Sequence, residues 1–245
     1  MLNLFFINLF IWEMTANETR IEKYTSSFFS VIITTYNRSS LLKRALDSLV
    51  AQTETDWGAI IIDDGSTDNT ACIVKPYLAW NNKIKYLKQK SKGATFSKNT
   101  GIFLSEGKFV TFLDSDDEYS AAHLASRKII LLKNKKIELL HGGVKVIGNH
   151  YVPDRFDYNK IVPLSRCAIG GTFFIKKNIA LLLNGFTEIP LGSDADFLER
   201  ANKAGINTMK TELPTYLYHR ETENSITNNL MRCQKRIDFH KQQFG

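Results

Sequence analysis

Residues 30–50 read SVIITTYNRSSLLKRALDSLV, and the change of period within them decides the fold. Val31–Ile33 is continuous and β-branched, the pattern of a strand covered on both faces. A polar loop runs from Thr34 to Arg38. Beyond it the apolar positions Leu41, Leu42, Ala45, Leu46, Leu49 and Val50 recur at helical spacing, with Ser39 or Asn37 placed to cap the helix.

The unit recurs along the chain. AIII at 59–62 is a second strand ending at Asp63, and Thr67 or Asp68 can cap a helix that runs to about Leu78. IKYL at 84–87 is a short third strand, Gly93 to Ser105 a helix weakened by Gly101, and KFVTFL at 108–113 a fourth strand. Strand and helix alternating in this way predict an α/β fold with a parallel, doubly wound sheet, which binds ligands beyond the carboxyl ends of its strands. Three polar clusters fall at those ends: Thr34–Arg38, Asp63–Asp68 and Asp114–Asp117. The second half is less regular. It predicts a helix at 121–134, a strand at 138–147, a polar connection at 148–169, a strand in GGTFFIKK, a helix from Asp194 to Ala204, and a basic helix near the C-terminus.

Composition bounds the answer loosely. The chain has 245 residues, 43% hydrophobic and 23% charged, as in an ordinary globular protein. Its net charge of +7 suits phosphates, nucleic acid or an anionic membrane face without choosing among them. Cys72, Cys167 and Cys233 form neither a CxxC pair nor a zinc spacing, which fits a reducing compartment. The apolar start, MLNLFFINLFIW, is shorter than the roughly 20 residues that span a bilayer and lacks a basic region and a cleavage site. It reads either as an interfacial segment or as extra sequence before Met14.

Several clusters carry candidate chemistry. Asp114, Asp116 and Asp117 would repel one another unless a cation neutralised them, and a hard divalent ion bound there would also take phosphate oxygens. An acidic turn capping the next helix is the alternative. Asp63 and Asp64 exceed what a cap requires, and TTYNR offers hydroxyls, an aromatic ring and a cation. Lys98 and Asn99 lie on a helix that would face the cleft. SKGATFSKNTG lacks Walker spacing and no GxGxxG follows the first strand, against a P-loop enzyme or a dinucleotide oxidoreductase. Asp194 and Asp196 open a helix, where one caps cheaply and the other could serve as a general base. His219 and Arg220 follow a strand.

In this order and spacing, SVIITTYNRSSLLKRALDSLVAQT, IIIDDGSTDNT, KGATFSKNTGI, GKFVTFLDSDDEY, NGFTEI, SDADFLERANKAG and YHRETENSIT resemble the family 2 inverting glycosyltransferases of the GT-A fold, from about Phe29 to Thr227. The resemblance implies a sugar moved from a nucleoside diphosphate, foremost a UDP-sugar, to a glycan or lipid-linked acceptor hydroxyl. It implies Mn2+ or Mg2+ as cofactor and no nucleic-acid partner. By motif position Thr34, Tyr36 and Asp64 would hold base and ribose, with Arg38 lining that pocket and Asp63 a further nucleotide-sugar-binding residue. Asp114 would face ribose or sugar, Asp116 would ligate the metal, and Asp117 would stand beside it. Asp194 would be the base, Asp196 the second acidic position, and His219 and Arg220 would close over metal and diphosphate. The pattern departs at Thr34, where proline is common, at Lys98, where arginine is common, and at Ser193, where glutamate is common.

The organisation expected is a lead-in at 1–27, a GT-A domain at 28–227 with a nucleotide-binding half (28–120) and an acceptor-binding half (121–227), and a basic helix at 228–245. A single-addition enzyme is expected, in the cytoplasm and peripheral at the inner face of the membrane. The competing readings are a sugar-phosphate nucleotidyltransferase, which lacks its glycine-rich triphosphate loop here, and a non-catalytic nucleotide-sugar binder.

Overall fold

The computed structural model describes residues 27–221. The apolar start, the 228–245 helix and Cys233 lie outside the described residues. The first half alternates as its periodicity predicts. Its elements are β1 (Phe29–Thr35), α1 (Ser39–Val50), β2 (Trp57–Asp63), α2 (Thr70–Trp80), β3 (Ile84–Lys88), α3 (Ala94–Leu104) and β4 (Phe109–Phe112). These strands lie parallel in the order β3-β2-β1-β4. β1 is central, and Val31, Ile32 and Ile33 are buried because helices cover both faces of the sheet. α1 turns Leu42, Ala45, Leu46 and Leu49 onto the sheet.

Gly101, which weakens the helical pattern of α3, is required by packing. A Cβ there would collide with Ile32 Cγ2 on the central strand. Gly101→Val is therefore expected to cost about 1–3 kcal/mol through overpacking. Thermal unfolding reads that loss, and the double variant with Ile32→Ala should lose less stability than the sum of the two single changes, since the clash is between these two residues.

The second half completes the sheet. β10 (Phe174–Lys176) runs antiparallel between β4 and β6 (Leu139–His141), and β11 (Thr208–Lys210) pairs parallel with β6. The mixed α/β fold with a mostly parallel sheet is thus as expected. Three local expectations need correction. The single strand at 138–147 is two, because Gly142 and Gly143 both take positive φ (87° and 76°) and turn the chain out of the main sheet. After them β7 (Val144–Ile147) joins β5 (Glu118–Tyr119) and β12 (Tyr216–His219) in a small second sheet. The connection at 148–169 contains a hairpin of its own, β8 (Tyr151–Pro153) and β9 (Ile161–Pro163). In GGTFFIKK only Phe174–Lys176 is strand, while Gly170–Thr172 forms a 3-10 turn. The remaining helices are α4 (His123–Lys133), α5 (Lys177–Leu182) and α6 (Ser193–Lys203). No helix among the described residues is long and apolar enough to cross a membrane.

Candidate active site

The carboxyl ends of β1, β2 and β4 meet, and backbone-to-side-chain bonds fasten their loops together. Asn37, in the left-handed region at φ 50°, accepts from the Thr67 N–H at 2.8 Å and donates its own N–H to Ser66 Oγ at 2.9 Å. Asp68 caps two helices at once, accepting from the Ser39 N–H (2.9 Å) and from the Thr70 N–H and hydroxyl (3.1 and 2.6 Å). Partial burial pushes its pKa up, but the donors of Thr70 and Ser39 outweigh it and hold it at about 2.

Two expected nucleotide ligands prove to be loop anchors. Asp63 is fully buried and accepts from the Ser66 N–H (2.7 Å) and the Tyr86 hydroxyl (2.5 Å), so both oxygens are spent within the fold. Asn99 does not line the cleft: its amide clips both backbone groups of Phe186, at 2.8 and 2.9 Å. Asp64 does line the cleft, while four donors from Gln89, Ser91, Lys92 and Gly93 gather on its carboxylate. Burial raises its pKa, but these four donors outweigh it and keep the group ionised.

The three aspartates after β4 have separate surroundings. Asp116 faces the Arg38 guanidinium at 3.4 Å, and its backbone carbonyl accepts from Arg44. Burial, then the neighbouring Asp114 charge, raise the pKa of Asp116 against Arg38 and Arg44, so a further cation there would be favoured. Asp117 is fully buried, taking the Tyr216 hydroxyl at 2.6 Å and the His219 N–H at 2.8 Å. His219 directs Nε2 at Glu118 (2.7 Å) and Nδ1 at Glu221 (2.8 Å). The expected metal set of Asp116, Asp117 and His219 is therefore corrected. Asp117 and His219 already spend their donor atoms on protein groups, and among the described residues no three His, Cys, Asp or Glu side chains converge on one cation position.

Lys98 occupies the centre. Its Nζ lies 3.5 Å from Asp114 Oδ1 and 3.9 Å from Asp194 Oδ1, above the rings of Phe112 and Phe186. Burial disfavours the ammonium, but Asp114 and Asp194 outweigh it and raise its pKa, so it stays charged. Asp194, in the first turn of α6, accepts the Gly170 N–H on Oδ2 at 2.8 Å, while Oδ1 has no hydrogen-bond partner. Asp196, the expected acceptor-side acid, turns away and binds Arg200 Nε at 2.9 Å across one helical turn. Arg200 in turn holds the carbonyls of Leu183 and Gly185, so this pair supports the loop that carries Phe186.

Two cavities adjoin here. A cleft of about 450 Å³ is lined by Thr34, Tyr36, Arg38, Asp64, Lys98, Asp114, Asp116, His219 and Arg220. A second, of about 380 Å³, is lined by Asp114, the β8–β9 hairpin, Arg166, Ile169, Leu191, Asp194 and Tyr218. Asp114 and Tyr218 belong to both and form their common wall. Tyr216, Tyr218, Glu118, Arg44 and the pair Gly170–Gly171 are site residues that the sequence reading missed. Two aromatics flanking Leu217 in a strand that ends in His219 were the one available signal.

Comparison with known proteins agrees with this geometry. Residues 30–127 match the family model described as glycosyl transferase family 2. UDP-Glc:alpha-D-GlcNAc-diphosphoundecaprenol beta-1,3-glucosyltransferase WfgD of Escherichia coli is 32% identical over 148 residues, covering 58% of this chain and 56% of that protein. The match thus spans little more than half of that relative. Among solved structures, S. aureus TarS 1–349 in complex with UDP-GlcNAc superposes with TM-score 0.68 at 22% identity, over 81% of this chain and 60% of that one. Mannosyltransferase PcManGT from Pyrobaculum calidifontis, in complex with GDP-Man and Mn2+, superposes with TM-score 0.62 at 16% identity, over 89% and 63%. With its parallel strands in the order β3-β2-β1-β4 and its acidic loop after β4, the chain has the GT-A fold of these solved structures, and its residues 30–127 match glycosyl transferase family 2.

Proposed function

We propose that this chain is a metal-dependent, inverting glycosyltransferase. It moves a sugar from a nucleoside diphosphate sugar, foremost a UDP-sugar, to a hydroxyl of a glycan or lipid-linked acceptor in cell-surface polysaccharide or glycolipid assembly. The observation that carries this reading is the pair of cavities sharing Asp114 and Tyr218, with Asp194 on the far side of the wall from the nucleotide cleft. The donor sugar would lie at Asp114, and the acceptor hydroxyl would approach from the second cavity. The bond from hydroxyl oxygen to anomeric carbon forms as the bond from that carbon to the diphosphate breaks, and Asp194 takes the hydroxyl proton. Attack from the opposite face inverts the centre. Tyr36 and Thr34 would bind the base, and Arg38, Lys98 and Arg220 the diphosphate.

The residues present fit a divalent ion. Asp116 is a carboxylate whose pKa burial and Asp114 raise, and Mg2+-type sites use one or two carboxylates with substrate phosphates completing the shell. Bound there, Mn2+ or Mg2+ would stabilise the charge that grows on the leaving diphosphate. The similar proteins support the same reading, since they include a diphosphoundecaprenol-dependent glucosyltransferase, a UDP-GlcNAc complex and a GDP-Man complex with Mn2+. Residues 28–120 would then be the donor half and 121–227 the acceptor half, and the enzyme would work peripherally at the inner membrane face.

Calorimetric titration with UDP tests the donor site. Binding is expected with Mn2+ and to weaken about tenfold or more with a chelator or in Asp116→Ala, the loss of one charged contact. Equal affinity in all three conditions would remove the metal from the reading.

A further inference from the structure

The β8–β9 hairpin forms one wall of the second cavity, and its two faces differ. Val152 and Val162, directly opposed in the register, line the cavity. Tyr151, Tyr158 and Ile161 are exposed around the other side and the tip, and Phe156, at the rim of the cavity that it helps to line, is exposed as well, Phe156 by 83% and Ile161 by 62%. Four of the sixteen exposed large apolar side chains of the described residues fall in these thirteen positions, far above an even spread.

The tip is held firmly. Asp154 accepts the N–H groups of Phe156 (2.8 Å) and Asp157 (3.1 Å), and the Asp154 N–H bonds the Lys160 carbonyl at 2.8 Å. Arg155 pairs with Glu199 on α6 and lies 4.4 Å from the centre of the Phe156 ring. The backbone under Phe156 is held in this way while its ring faces solvent, and an exposed cluster of large apolar side chains is a mark of interaction sites.

We propose that this hairpin docks on the interface of an anionic phospholipid bilayer. Phe156 and Ile161 would enter the headgroup boundary with Tyr151 and Tyr158 beside them. Aromatic side chains with flanking cations are the composition that such interfaces select. Lys145, Arg155, Lys160 and Arg166 stand against Asp154, Asp157 and Glu199; Arg155 pairs with Glu199 and Lys160 with Asp157, and the remaining excess of one positive charge suits anionic headgroups. Docked there, the hairpin sets the mouth of the second cavity at the membrane surface. A lipid-linked acceptor could reach Asp194 without leaving the bilayer, a consequence that rests on the function proposed above.

The full chain is tested by sedimentation with vesicles of one part phosphatidylglycerol to two parts phosphatidylcholine, and with phosphatidylcholine alone. Binding is expected to favour the anionic vesicles and to fall about tenfold or more in Phe156→Ser/Ile161→Ser, two large apolar groups being withdrawn from burial. The thermal midpoint of the variant should be unchanged, since both side chains are exposed. In Phe156→Trp, brominated lipid is expected to quench emission beyond the wild-type level. Absence of vesicle binding would overturn the proposal and leave the patch to a protein partner. Binding that persists in the double variant, or without added quenching in Phe156→Trp, would overturn it in favour of another segment. No transfer is measured, so these outcomes are separate from those that test the reaction.

Discussion

Asp194→Asn is expected to lower transfer by about 10²–10⁴-fold, the range for losing a general base, while UDP affinity stays within a few-fold of wild type. The asymmetry follows from position. Asp194 lines the second cavity and not the cleft proposed for the nucleotide, so the contacts proposed for base, ribose and diphosphate would remain. The asparagine oxygen can still accept the Gly170 N–H that orients the carboxylate, so the geometry should survive and only the basicity is lost. Asp196→Asn is the internal control. It weakens a contact to Arg200 that supports the 183–187 loop, and it should cost about 1 kcal/mol or less of stability with transfer largely retained. Steady-state transfer with a labelled UDP-sugar reads both variants, and calorimetry reads UDP. Retention of more than a tenth of wild-type turnover in Asp194→Asn would mean that the acceptor proton goes elsewhere.

The parts of this molecule that sequence reading located are those written in short-range period. The β-branched run of β1, the helical spacing of α1 and the acidic turn after β4 each declare themselves within a few residues. Their meeting point follows from the rule that ligands collect at the carboxyl ends of parallel strands. What was not legible is which lone pairs remain free once the chain has folded. Asp63, Asp117 and Asn99 look like ligands in the sequence, yet Tyr86, Tyr216 and Phe186 lie 23, 99 and 87 positions away and consume their bonding capacity. Asp116 sits next to Asp117 in sequence, but its side chain faces Arg38 across the cleft instead of a tyrosine in the core. Local pattern also read Gly101 as a weakness in a helix and Gly142–Gly143 as strand, because the reason for a glycine lies in whatever approaches it through space.

Gly170 and Gly171 bring the same point to a measurement, because they are neighbours with different obligations. A Cβ at Gly170 would lie 2.5 Å from Asp194 Oδ1, and a Cβ at Gly171 would collide with the Tyr216 hydroxyl and ring. The Asp194 carboxylate stands at the end of a partly exposed side chain on the first turn of α6 and can swing aside. Gly170→Ala is therefore expected to leave the thermal midpoint within a few degrees of wild type. Its transfer should fall about tenfold or more, as a misplaced base loses its line to the acceptor hydroxyl. Tyr216 cannot swing. It is fully buried, donates to Asp117 at 2.6 Å and packs edge-on against Tyr119. Gly171→Ala must push the ring off Asp117 and leave a buried carboxylate short of a donor, adding about 1–3 kcal/mol to an overpacking cost of similar size. In a domain of this length each kcal/mol moves the midpoint by about 2–4 °C, so a fall of roughly 5–20 °C is expected, with transfer and UDP affinity lost together. Scanning calorimetry and a UDP titration on the two variants separate the effects. If Gly170→Ala unfolds as readily as Gly171→Ala, then Asp194 is as rigidly enclosed as Tyr216 and its freedom to meet an acceptor must come from movement of α6 as a whole.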